Sequence, residues 1–186
     1  MQLSNQQTLP VSQAQAWEAL NDIELLRGAI PGCDSLEAGD TPNVYTLQIT
    51  AAIGPVKSRF KGKLRLDELN PPSSYTMHFE GQGGAAGHGK GSAQVRLEPT
   101  GAAVTVLHYE ATASVGGKIA QVGSRIVDMA AQKMAAQFFE AFDARLRERY
   151  GIVEVTEAEA APAAGAPAEG LWARLVAWLK RVFGGQ

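Results

Sequence analysis

The spacing of the apolar residues changes near residue 117, and this change constrains the fold more than any other feature of the chain. Before it, short segments of alternating apolar residues are separated by turns that contain Gly or Pro. This pattern predicts strands near 34–38, 44–53, 56–69, 74–82, 90–98 and 102–115. From Lys118 to Tyr150, apolar residues recur every three or four positions, which predicts one long amphipathic helix. The short spacers between the strands favour antiparallel hairpins.

The first thirty residues add a strand and two short helices. Gln2 to Leu9 alternates weakly, which is typical of an edge strand, and Ser12 and Asp22 are suitable caps for the two helices. Nine short elements and one long helix are too few for two separate cores. We therefore expect an α+β fold in which a curved antiparallel sheet wraps around the long helix. Because such a sheet curves more strongly than the helix, a ligand pocket is expected between them.

Strand parity and helical spacing predict which side chains line this pocket. They are Trp17, Leu20, Ile30, Phe60, Leu64, Tyr75, Met77, Phe79, Val95, Leu97, Ile126, Met129, Met134 and Phe138. The same residues also describe an ordinary filled core, and that alternative remains open. An unfilled pocket is favoured by the methionines and by small residues at inward positions, namely Ala51, Gly62, Ala93, Ala111, Ala113 and Ala130. A pocket of this composition suits an isoprenoid or acyl tail better than a polar metabolite.

Two segments resemble a known family. Residues 30–37 (Ile-Pro-Gly-Cys-Asp-Ser-Leu-Glu) and 116–125 (Gly-Gly-Lys-Ile-Ala-Gln-Val-Gly-Ser-Arg) are similar to the best-marked segments of the CoxG family, the carbon monoxide dehydrogenase G subunits. The predicted order of elements resembles the START-like (SRPBCC) helix-grip superfamily, over Met1 to about Tyr150. The resemblance implies a non-catalytic accessory protein that associates with the membrane and serves a carbon-monoxide-dehydrogenase-type molybdenum hydroxylase. The implied ligand is a respiratory quinone or a similar lipid, with no covalent cofactor.

The C-terminal residues predict contact with a membrane surface. Residues 151–170, rich in Ala, Pro, Gly and Glu, predict a flexible linker that reaches about 25 Å. Residues 171–186 predict an amphipathic helix of about 20 Å, too short to span a bilayer core of about 30 Å. Its apolar and cationic faces suit an anionic membrane surface, while docking on this protein or on a partner is the alternative. The predicted contact residues are Leu171, Trp172, Arg174, Leu175, Val176, Trp178, Leu179, Lys180, Arg181, Val182 and Phe183.

One predicted strand carries a run of positive charge on a single face. Its alternating cations are Lys57, Arg59, Lys61, Lys63 and Arg65. Most charged strand faces are only solvated, and Glu80 and Glu98 on neighbouring strands could neutralise part of this one. Five outward positions of one sign also suit docking to an acidic protein or to anionic headgroups. Both interpretations remain open.

Composition and spacing exclude several other functions. A formal net charge of −2 and a pI near 5.9 argue against nucleic-acid binding. The single cysteine, Cys33, cannot form an internal disulfide, and no histidine lies at metal-ligand spacing from a second ligand. Gly84, Gly89 and Lys90 match a phosphate-binding loop, but Gly91 replaces the hydroxyl that such a loop needs. A glycine-rich lip at one end of the pocket is the favoured interpretation of residues 81–91.

Three classes of function remain. The first is a membrane-tethered carrier of a hydrophobic ligand, and the second is a recruitment scaffold with a filled core. The third is an enzyme similar to the cyclases and hydrolases of the superfamily, for which inward parity supplies only Tyr75 and Tyr109 as acid or base. We therefore expect a protein that is not an enzyme. Because no secretory signal is visible, we expect it in the cytoplasm, on the inner face of the cell membrane.

Overall fold

Seven antiparallel strands form one sheet in the computed structural model, which describes residues 1–152. Their order across the sheet is β1-β7-β6-β5-β4-β3-β2. The strands are β1 (Gln2–Leu9), β2 (Cys33–Ala38), β3 (Val44–Ile53), β4 (Val56–Asn70), β5 (Ser74–Gln82), β6 (His88–Gly101) and β7 (Val104–Gly116). The strands predicted from the turn signals are confirmed, and β1 lies at an edge, where β7 is its only partner among residues 1–152.

Two short helices, α1 (Gln13–Leu20) and α2 (Ile23–Ala29), follow β1. The Ser12 hydroxyl accepts a hydrogen bond from the backbone N–H of Gln15, whose side chain accepts one from the Ser12 N–H. The Asp22 carboxylate accepts one from the N–H of Leu25 at 3.0 Å. Both predicted helix caps are therefore confirmed, and each satisfies a backbone donor that has no partner within its helix.

The predicted long helix is interrupted. Helix α3 (Lys118–Gln121) and helix α4 (Ser124–Tyr150) are separated by Val122 and Gly123. Gly123 has a φ of 96°, which a residue with a Cβ rarely adopts and which no α-helix contains. The break shifts the helical phase, so the prediction of one continuous apolar face from residue 118 is wrong.

The main core lies where the second half of α4 meets the sheet and the two short helices. Phe142 and Leu146 are fully buried there, against Leu9 and Leu107 among others. The end of α4 is held by Arg149, which donates to Asp22 at 2.6 Å and to Glu18 at 2.9 Å. The packed part of the chain continues past the predicted boundary at Tyr150, because Ile152 packs against the same core.

The strand register shows which turns lie together at each end of the sheet. Ile53 pairs with Val56, and His88 pairs with both Gln82 and Gly116, so three connections meet at one end. We call this the α3 end and define it as residues 53–57, 82–90 and 116–127. The opposite end, here the α1 end, holds α1 and the β2–β3, β4–β5 and β6–β7 turns. No helix within residues 1–152 is long and apolar enough to cross a membrane.

Candidate ligand-binding site

An apolar cavity of about 280 Å³ lies between the sheet and the first half of α4. Phe60, Ala86 and Ile119 pack together at the α3 end of the molecule, and two of them line the cavity. Helix α4 contributes Val127, Ala130, Ala131 and Met134. The apolar residues that the strands contribute are Leu47, Ile49, Ala51, Ile53, Phe60, Leu64, Phe79, Ala113 and Val115.

A row of glycines accounts for the empty volume. Gly62, Gly81 and Gly89 are cross-strand partners on β4, β5 and β6, and all three line the cavity. The Leu47 side chain occupies the space at Gly62, 2.6 Å from the position that a Cβ there would take, so the space that the sheet leaves open beneath the helix lies at Gly81 and Gly89. A Cβ at Gly81 would have only the Lys61 carbonyl oxygen within 4 Å, at 3.9 Å, so that position borders open space.

The interior of the cavity carries no charged side chain. Glu80, Lys90 and Ser114 contribute to its wall, but they face one another in register on the outer face of the sheet. Because side chains alternate along a strand, their polar groups lie on the side away from α4. Met1 also lines the cavity, and its α-ammonium group donates to the carbonyl oxygen of Ala113 at 3.1 Å. Among the described residues, no ionisable side chain points into the cavity. The arrangement therefore favours an apolar guest.

Of the predicted pocket residues, four line the cavity and the others lie elsewhere. The four are Phe60, Leu64, Phe79 and Met134. Those buried in the main core are Leu20, Tyr75, Val95 and Leu97, with Trp17, Met77 and Phe138 half-buried against them. Ile30 is half-buried at the end of α2. Whether the four bind a ligand stays a prediction.

Two predicted pocket residues point outward. Ile126 is 39% exposed and Met129 is 62% exposed, so the prediction that they face inward is wrong. Met134 and Phe138 face inward on α4, and Met129 precedes them by five and nine residues. At about 100° per residue it therefore lies about 140° and about 180° away from them, whereas Val127 and Ala131 share the inward face. Ile126 lies instead over the β3–β4 turn, with its Cγ2 2.9 Å from the position that a Cβ of Gly54 would take.

Part of the cavity wall was not predicted. Leu47, Ile49 and Ile53 of β3 share the inward parity of Ala51, which was among the small inward residues, so the alternation of β3 was an available signal. The small residues were a better guide than the large ones, because Ala51, Gly62, Ala113 and Ala130 all line the cavity. Ala93 is buried but does not line the cavity.

The two tyrosines considered as acid or base lie outside this cavity. The Tyr75 ring packs edge-on against Trp17, with centroids 5.7 Å apart, and the Tyr109 ring stacks on Phe139 at 5.2 Å. Burial raises the pKa of both phenols, most strongly that of Tyr75. Neither hydroxyl is therefore placed to exchange a proton with a molecule in the cavity near neutral pH.

The five cations of β4 all face solvent, as strand parity predicts. Arg59 pairs with Asp34 at 3.1 Å and Arg65 with Asp67 at 2.8 Å. Within residues 1–152, Lys57, Lys61 and Lys63 form no ion pair, and Glu80 lies opposite Lys63 in register without a salt bridge. Glu98 instead pairs with Arg96 at 2.8 Å and lies 3.2 Å from His108.

The remaining predictions concern the glycine-rich segment, Cys33, metal binding and the C-terminal residues. Residues 81–91 form the expected glycine-rich hairpin, in which a short 3-10 turn at Gly84–Ala86 packs at the α3 end. Cys33 is half-buried, and burial raises the pKa of its thiol. In the part of the chain that the structure describes, no group of three or more His, Cys, Asp or Glu residues could hold a metal ion. The predicted linker from residue 153 and the predicted helix at 171–186 lie outside the described residues.

The sequence profile of the carbon monoxide dehydrogenase G subunit (CoxG) matches residues 6–147, which is most of the chain. The chain belongs to the CoxG family. This CoxG-family chain also resembles a conserved protein from Geobacillus kaustophilus, at 26% identity and a TM-score of 0.75, over 80% of this chain and 96% of that one. No curated protein matches this chain.

More distant solved structures confirm the fold. A START superfamily protein from Mycobacterium smegmatis is 15% identical, with a TM-score of 0.60 over 80% of this chain and 98% of its own. The ZhuI aromatase/cyclase from Streptomyces sp. R1128 is 12% identical, with a TM-score of 0.58 over 81% and 95% of the two chains. The predicted helix-grip fold and the predicted family are thus confirmed. The CoxG assignment indicates an accessory protein of carbon monoxide dehydrogenase.

Proposed function

We propose that this CoxG-family chain holds an apolar molecule, a respiratory quinone or a similar lipid, in the cavity beneath α4. The observation that carries the proposal is a cavity walled by aliphatic side chains, two phenylalanines and a row of glycines, with no ionisable side chain pointing into it. Burial of apolar surface is then the main source of affinity, at about 25 cal/mol per Å². No covalent cofactor is part of this proposal.

The size of the cavity limits what enters it. Its volume of about 280 Å³ lies just below the range of about 300–1,000 Å³ that is usual for small-molecule sites. It suits a short apolar molecule, or one end of a long one. A quinone head group would find no side-chain partner for its oxygens there, so the isoprenoid tail is the better match.

The proposed role is to keep this ligand near both a membrane and a redox enzyme. The chain serves a carbon-monoxide-dehydrogenase-type molybdenum hydroxylase on the cytoplasmic face of the cell membrane. The exposed cations of β4, Lys57 to Arg65, dock on an acidic surface of that enzyme. The protein itself performs no catalysis, and the positions of Tyr75 and Tyr109 outside the cavity support this.

Organic extraction of the full chain purified from its own host, followed by mass spectrometry, tests the carrier function. We expect a quinone or another lipid in close to stoichiometric amount. Protein from which no lipid is extracted, although it is folded, would reject the carrier and favour the scaffold. The variant Gly81→Leu, which fills the cavity, is the matched control for lipid that adheres elsewhere.

Membrane tethering by the C-terminal residues is tested separately. Replacement of Trp172, Leu175 and Trp178 with Ser should reduce sedimentation of the full chain with vesicles that contain phosphatidylglycerol, because these side chains supply much of the apolar area. Unchanged sedimentation would place the membrane contact elsewhere. Binding to the dehydrogenase should not respond to these substitutions.

A further inference from the structure

The α3 end of the folded domain has the surface chemistry of a membrane contact. The segments that form it, residues 53–57, 82–90 and 116–127, contain no Asp or Glu. They contain the exposed cations Lys57, Lys90, Lys118 and Arg125. Lys90 lies opposite Glu80 in register, and in residues 1–152 the other three form no ion pair. This end is therefore positively charged.

The nearest other carboxylates do not cancel this charge. Asp34, at the start of β2, is paired with Arg59 at 3.1 Å. Asp128, on the second turn of α4, has one carboxylate oxygen buried without a hydrogen-bond partner and offsets one of the three unpaired cations, so the α3 end keeps a net positive charge. The α1 end, in contrast, carries Glu18, Asp22, Glu24, Asp40 and Glu98. Because Glu18, Asp22, Glu24 and Glu98 are paired with arginines, the field that orients the domain towards an anionic surface comes from the unpaired cations of the α3 end.

Exposed apolar side chains accompany the cations. Ile126 and Met129 are large, exposed and only one and four residues from Arg125. Ile126 extends over Gly54 of the β3–β4 turn, and Ala130, which follows Met129, already lines the cavity. An apolar patch of this kind beside unpaired cations matches the boundary between acyl chains and anionic headgroups. A folded protein gains nothing from it in water.

We propose that the α3 end, together with the next turn of α4, is a second membrane-docking face, which inserts Ile126 and Met129 among anionic lipids while Lys118 and Arg125 contact the headgroups. The inference rests on the proposed function, because docking at this end brings the cavity within one helical turn of the bilayer. A ligand longer than the cavity can then keep its outer part in lipid. The contact belongs to the folded domain and is additional to the predicted tail helix.

The test places an environment-sensitive NBD label at Met129 of the full chain, through Met129→Cys in a Cys33→Ser background. Vesicles of phosphatidylcholine with phosphatidylglycerol should enhance its fluorescence, and brominated lipids should quench it. A label introduced by Val104→Cys is the matched control, since Val104 is also 39% exposed but lies at the α1 end. That label should not respond.

A label at Met129 that stays in water while the protein sediments with the vesicles would overturn the inference. The double variant Lys118→Gln, Arg125→Gln gives an independent readout. At about fivefold per cation near an anionic surface, it should bind these vesicles about 25-fold more weakly. If it binds vesicles normally and loses affinity for the host's dehydrogenase, the face docks an acidic protein and the inference is wrong. The label reports lipid contact with or without a bound ligand, so its result is separate from that of the extraction.

Discussion

A side chain that fills the cavity from the sheet side should weaken ligand binding while it raises the stability of the protein. Gly81 borders open space and has ordinary strand geometry, so Gly81→Leu can place its side chain beneath α4. A leucine has four side-chain carbons. If each displaces one methylene of the ligand, at about 0.8 kcal/mol per methylene, the loss is about 3 kcal/mol, or about 200-fold in affinity. Gly81→Ala, with one carbon, should cost only about fourfold.

The same substitution should stabilise the ligand-free protein. Burial of a leucine side chain contributes about 1.5–3 kcal/mol, and removal of a glycine from a strand adds to it. We expect the Tm to rise by about 5 °C. Calorimetric titration with a short-chain quinone measures affinity, and Ser114→Leu, which puts the same side chain on the outer face, is the control. A Gly81→Leu variant that is more stable yet binds as tightly as the original would refute the cavity as the ligand site.

Three further predictions concern the core, the cap and the basic strand. Phe142→Ala should reduce the free energy of unfolding by about 3–5 kcal/mol in chemical denaturation, because Phe142 is fully buried among side chains that cannot close the gap. Asp22→Asn should destabilise the protein at neutral pH, because Asn keeps the helix cap but loses the ion pair with Arg149. The hydrogen bond from the Leu25 N–H, and then that from Arg149, lower the pKa of Asp22, so its contribution is present above the ordinary value of 3.8 and disappears as the pH falls through the folded pKa. Thermal unfolding measured across this pH range should therefore show that the Tm values of the Asp22→Asn variant and of the original protein converge in acid. Lys61→Glu with Lys63→Glu should slow association with the dehydrogenase in biolayer interferometry and leave the Tm unchanged, whereas an unchanged association rate would exclude this face as the docking surface.

Most of the secondary structure could be read from local signals. Gly and Pro at the turns delimit β2 to β7, and Ser12 and Asp22 cap α1 and α2 through contacts that span three residues. Such signals act between close neighbours in the chain, so a sequence carries them directly. The period change near residue 117 likewise required α4 to lie on one face of a sheet. The family resemblance followed from two short segments and was confirmed over residues 6–147.

The single glycine that interrupts the helix could not be interpreted in the same way. An isolated glycine within a helical pattern is usually tolerated, and only the observed φ of Gly123 distinguishes a break from a weak point. The break separates Ile119 from α4, whose own inward face, set by Met134, Phe138 and Phe142, includes Val127 and not Met129. The exposure of Met129 thus follows from the spacing within α4, whereas Ile126 lies at the edge of the inward face, where only the structure shows that it is exposed.

The sequence by itself determined the elements, their order and the apolar character of the space between helix and sheet. Only the tertiary structure decided where that space stays empty. Large side chains fill the α1 end around Phe142, while the register of three strands brings Gly62, Gly81 and Gly89 side by side beneath the first half of α4. These glycines lie on successive strands, and which of them meet depends on the register of each hairpin, so the alternation within one strand could not locate the cavity.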